Sequence, residues 1–131
     1  MNFKFKQGAL WILVVVLASC SKGDAYVLGP QSFSDVEVIV EIRPGAPQVG
    51  MNEFLVVATH ENRRPAYEYI VSIKMQQHNR WSQSIQDGAT GVYRRAIRVS
   101  NPDTDILQVQ LQHKKNKDKV HQLFFPLRQS N

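Results

Sequence analysis

Leu107-Gln108-Val109-Gln110-Leu111-Gln112-His113, a lysine-rich turn, then Val120-His121-Gln122-Leu123-Phe124-Phe125-Pro126-Leu127: this stretch decides the fold. Leu107, Val109, Leu111 and His113 share one face of an extended segment, and Gln108, Gln110 and Gln112 share the other. Such alternation marks a half-buried strand. With Asn116, Lys117 and Asp118 as a three-residue loop, the hairpin is centred on Lys117. That register pairs Leu111 with Leu123, Val109 with Phe125 and Leu107 with Leu127, and sets Gln112 against Gln122 on the other face. A slip of one residue would drive glutamine into the core. Pro126, near the end, suits an edge strand.

The same period of two runs outward from the hairpin. Val36, Val38, Val40 and Ile42 alternate with Asp35, Glu37 and Glu41 up to Arg43-Pro44-Gly45. Phe54 to Thr59 is near-continuously apolar, as a central strand requires. Tyr67, Tyr69, Val71, Ile73 and Met75 alternate again after the break at Glu61 to Pro65, and Trp81 to Ile85 predicts a short strand. Val92 to Val99 follows Gly91 and stops at Asn101-Pro102-Asp103. Seven short strands without a convincing helix predict an all-β fold, an immunoglobulin-like antiparallel β-sandwich over residues 33–131. On Val92–Val99, Arg95 falls on the face of Tyr93, Ile97 and Val99, so it either reaches past the rim or sits at a bulge.

The first 32 residues carry an address. Lys4 and Lys6 precede an unbroken apolar run, Ala9 to Ala18, and Leu17-Ala18-Ser19-Cys20 closes it. A basic start and a short apolar run mark an export signal, and the run is too short to span a bilayer. Leu-Ala-Ser-Cys resembles the bacterial lipoprotein box. That resemblance implies a signal peptide over 1–19, cleavage before Cys20, and a diacylglyceryl and further acyl (palmitate-type) modification of Cys20. Residues 20–32 then read as the lipidated cysteine and a short tether. Ser21, in place of Asp, implies outer-membrane sorting by the same resemblance. Several acyl chains hold a protein on a membrane essentially permanently.

Length and composition bound the rest. The chain has 131 residues, one cysteine, and 16 Lys+Arg against 11 Asp+Glu. That is one domain, with no internal disulfide. Without the signal peptide the balance falls to 14 basic and 11 acidic residues, ordinary for a soluble domain. Export argues against nucleic acid as a partner.

Few residues invite chemistry. The hairpin register sets His113 opposite His121, close enough to share a metal ion, with copper or zinc as the candidate. His60, His78, Met51 and Met75 are third ligands by type alone, and a plain His pair at the rim is the simpler reading. Lys114, Lys115, Lys117 and Lys119 make a basic hairpin tip, suited to an anionic surface or to solubility alone. Arg94 and Arg98 share a face and extend that basic stripe. Trp81 reads as the plug of one end of the core, and Gly91-Val92-Tyr93 as a tyrosine that closes a sandwich corner. Hydrolase, zincin, phosphate-loop and dinucleotide motifs are all missing, and Glu61 and Asp87 have no reason to meet, so the sequence supports no enzyme.

Pro47-x-Val49-Gly50-Met51-Asn52-Glu53-Phe54-Leu55-Val56-Val57 resembles the Gly-x-Asn-x-Phe-x-Val strand of the YtkA-like/FixH-like domains. Arg64-Pro65 and Gly91-Val92-Tyr93-Arg94 fit the same plan over about residues 36–127. The resemblance implies an exported, immunoglobulin-like, non-enzymatic domain, with FixH-like members linked to assembly of copper-containing haem oxidases. Those members carry a true membrane helix where this chain has a lipoprotein box. The expectation is therefore a lipid-anchored periplasmic accessory or binding module with an envelope protein partner and no cofactor. The alternative is metal handling or oxidase assembly through His113 and His121.

Overall fold

The computed structural model describes residues 25–130. The expected signal peptide over 1–19 and Cys20 lie outside them. Nine strands follow in order: β1 (Tyr26–Phe33), β2 (Val36–Arg43), β3 (Gly50–His60), β4 (Tyr69–Met75), β5 (Ser82–Gln83), β6 (Ile85–Gln86), β7 (Val92–Val99), β8 (Ile106–His113) and β9 (Val120–Pro126). They form two antiparallel sheets, β1-β2-β3-β7-β6 and β5-β4-β8-β9, stacked as a sandwich. The alternation seen in the sequence is the core. Val36, Val38, Val40 and Ile42 of one sheet meet Val71, Ile73, Met75, Leu107, Val109 and Leu111 of the other, each at most 1% exposed. Phe54 and Val56 lie between β2 and β7 as a central strand demands.

Three local expectations change, and an open one is decided. The tether shortens, because Tyr26–Phe33 is strand β1, paired with β2. Gly29-Pro30 hid it: the register shifts between Leu28 and Gln31, and an edge strand tolerates both proline and a bulge. The β8–β9 hairpin is offset by two residues, pairing Leu111 with His121, Val109 with Leu123 and Leu107 with Phe125. An offset of two leaves every side chain on its expected face, so the hydrophobic pattern cannot distinguish the two registers. The turn decides between them, with His113 N–H donating to the Lys119 carbonyl at 3.0 Å and the Lys115 and Asn116 amides donating to His113 Nδ1. Trp81 is no core plug but is half-buried, with Lys74 Nζ 5.2 Å from its ring centre. Arg95 is exposed and β7 pairs with β3 without a bulge, so its side chain reaches past the rim.

The corner tyrosine is where the sequence puts it. Tyr93 is 1% exposed and its hydroxyl donates to the Ala66 carbonyl at 2.7 Å. Burial pushes the phenol up to about 12, against the Tyr69 backbone, so it remains a donor at any physiological pH.

Candidate functional site

The antiparallel strands sort the connections to two ends. Tyr26, Arg43, Gly50, Met75, Val99, Ile106 and Pro126 mark one end, and Phe33, Val36, His60, Tyr69, Val92, His113 and Val120 mark the other. At the second end three connections converge around a cavity of about 620 Å³ lined by Phe33, Asp35, His60, Glu68, Tyr69, His113, Lys119 and His121, among others.

His60 organises this cavity. It ends β3, where the chain folds back on itself. The His60 amide donates to the Arg64 carbonyl, the Arg63 amide donates to the His60 carbonyl, and Arg63 adopts a φ of 65°. Asp35 sits in the β1–β2 turn, its carbonyl accepting from the Glu61 amide at 2.8 Å. Glu68 precedes β4, its carbonyl accepting from the Lys114 amide at 2.8 Å. The imidazole is held between them: Nδ1 lies 3.0 Å from Asp35 Oδ2, and Nε2 lies 3.0 and 3.1 Å from the Glu68 oxygens. Carboxylates only accept, so both ring nitrogens carry protons here. Burial alone would lower the His60 pKa, but the hydrogen bonds and charges of Glu68 and Asp35 together raise it above 6.5. A proton on each ring nitrogen lets His60 tie the β1–β2 turn to the crossover between the sheets.

The other walls are aromatic. Phe33 stacks on His121 with ring centres 4.1 Å apart and meets the Tyr69 edge at 5.8 Å. Tyr69 meets His113 edge-on at 5.5 Å, and burial raises the Tyr69 phenol pKa, with the charges of Glu68 and Asp35 adding to that shift. His113 and His121 thus share the cavity but not a cross-strand position, since His121 faces Leu111. Among the described residues no group of three or more His, Cys, Asp or Glu is placed to hold a metal ion. His60 in this geometry has no free lone pair, so it can neither ligate a metal nor accept a proton.

The lysine tip Lys114, Lys115, Lys117 and Lys119 stands beside the cavity, and Lys119 lines it. Arg94 does not extend a basic stripe, because it pairs with Asp87 at 3.0 Å and Glu53 at 3.6 Å. The Asp35–His60–Glu68 bridge carries no sequence signal. Its members lie 25 and 8 residues apart, in the β1–β2 turn and at the two ends of the β3–β4 crossover, and only His60 stands out by type.

No family model matches the chain, and no curated protein or solved structure matches it significantly.

Proposed function

We propose that the chain is a non-catalytic, lipid-anchored accessory module of the bacterial envelope, held by acylated Cys20 and presenting the His60 end of its sandwich to a protein partner. The carrying observation is the direction of β1. The strand begins at Tyr26, six residues after Cys20, and runs to Phe33 in the cavity wall. Six residues reach about 20 Å at most. An eight-residue strand is itself about 27 Å long, so the His60 end points away from its own anchor. A cavity of aromatic rings, carboxylates and one lysine suits recognition of a polar, aromatic-bearing protein surface. The resemblance of Pro47 to Val57 to the YtkA-like/FixH-like strand supports an exported, non-enzymatic role.

The test is metabolic labelling of the full chain with a palmitate analogue in an enterobacterial host, followed by membrane fractionation. The expected result is a labelled band in the outer-membrane fraction, absent for Cys20→Ala. An unlabelled band would overturn the reading.

A further inference from the structure

The Tyr26 end carries a groove of different chemistry. About 600 Å³ in volume, it runs along the β7 edge between the outer face of β3–β7 and the segment after β4. Lys74, Arg80 and Arg98 line it together with Met51 and His78, and no Asp or Glu contributes. Among the described residues none of these three cations makes an ion pair, whereas Arg43 and Arg94 both do. Lys74 is held in place by its bond to the His78 carbonyl at 2.8 Å and by the Trp81 ring.

Met51 lines the groove, and Val49 lies two residues before it in the chain. Val49 is 72% and Met51 62% exposed, and Met51 pairs across the sheet with Arg98 on the same outer face. Unpaired cations around exposed apolar side chains, with a half-buried tryptophan beside them, suit the phosphate and glycerol layer of a bilayer. The short link decides the occupant, for only five residues lie between Cys20 and Tyr26 at this same end.

We propose that this groove seats the domain on the membrane that holds its anchor, with Arg98, Arg80 and Lys74 taking anionic lipid phosphates and Val49 and Met51 entering the interface. The proposal rests on acylation of Cys20. It fixes the orientation of the sandwich, with the β7 edge down and the His60 cavity raised toward the periplasm.

Trp81 reads this directly. Trp11 lies in the signal segment, so Trp81 is the only tryptophan of the chain from Cys20 onward. The acylated full chain is reconstituted into phosphatidylethanolamine vesicles with or without phosphatidylglycerol, carrying lipids brominated near the glycerol. Docking quenches Trp81, more strongly with phosphatidylglycerol. A near-surface cation contributes about 1 kcal/mol, so Arg98→Glu shifts the docked-to-undocked ratio roughly fivefold or more toward undocked. Met51→Asp also reduces quenching, while Arg64→Glu at the opposite end leaves it unchanged. Vesicle-bound protein whose Trp81 emission ignores the bromines would overturn the groove alone. Protein that fails to sediment with any vesicle would overturn the anchor, and the groove with it.

Discussion

The two ends of this sandwich are closed by opposite means. At the His60 end the chain approaches itself closely: Ala58 donates to the Gly91 carbonyl, Ala66 donates to the Ala58 carbonyl, and Tyr93 locks the crossover from beneath. At the Tyr26 end side-chain caps do more of the work. Asp105 takes the Ser100 and Asn101 amides and the Gln77 side chain, and Asn52 ties Gln48 and Gly50. The first end is one interlocked unit. The second is tied largely through side chains, among them Tyr26 Oη donating to the Leu127 carbonyl, and it leaves Val49, Met51, Arg80 and Arg98 on display. Backbone closure thus lies at the face proposed for a partner, and side-chain closure at the end nearer the proposed anchor.

Breaking the interlocked end costs most. Gly91 has a φ of 74°, and a Cβ there would stand 2.5 Å from the Ala58 carbonyl oxygen and 3.2 Å from the Ala66 nitrogen. The left-handed backbone costs a side chain about 1–2 kcal/mol, and forced repacking about as much again. Gly91→Ala is therefore expected to lose about 3 kcal/mol, read as a lower urea midpoint by Trp81 fluorescence. A midpoint within error of the parent would show that the two ends do not differ in rigidity.

The separate caps give a smaller, more local loss. Asp105 is 6% exposed, and removing its carboxylate strands two backbone amides and the Gln77 side chain. Asp105→Ala is expected to cost about 2 kcal/mol. It should speed amide exchange at Ser100 and Asn101 without touching Ala58 and Ala66. Faster exchange at both ends alike would mean that the Tyr26 end is as interlocked as the other.

This contrast also marks what the sequence could disclose. Alternation at Val36–Ile42, Tyr69–Met75 and Leu107–Leu111 assigned the inner faces, because burying one face of a strand leaves a period of two. Gly91-Val92-Tyr93 foretold the corner, since its glycine and its tyrosine are both needed there. β1 was hidden because Gly29-Pro30 looks like a turn, although on an edge strand it is only a bulge. The hairpin offset was invisible to periodicity, and with it went the opposed His113–His121 pair. The Asp35–His60–Glu68 bridge joins the β1–β2 turn to the β3–β4 crossover, which become neighbours only once β2 pairs with β3 and the crossover is placed, so spacing along the chain says nothing of it.

That bridge supplies the mildest and most selective perturbation. His60 is 19% exposed, and its pKa is raised in the folded state because Glu68 and Asp35 outweigh burial. A raised folded pKa means that the bridge contributes its full stability below about pH 6.5, the unfolded value, and loses it as pH rises through the folded value. Asp35 is 59% exposed, so screening keeps the contribution to about 1–2 kcal/mol. The groups facing the imidazole from neighbouring elements are Asp35, Glu68, Tyr69, His113, His121, Asp118 and Lys119. His113 and His121 line the same cavity, so the parent alone cannot assign the effect to His60. His60→Gln separates them: it keeps a donor for one carboxylate but has no charge to lose. The parent should lose stability relative to this variant as pH rises above about 6.5, with the two curves parallel below it. Curves parallel throughout would show that His60 is not an imidazolium in the fold. The stacked Phe33 and His121, rather than the charge bridge, would then be what holds the cavity walls together.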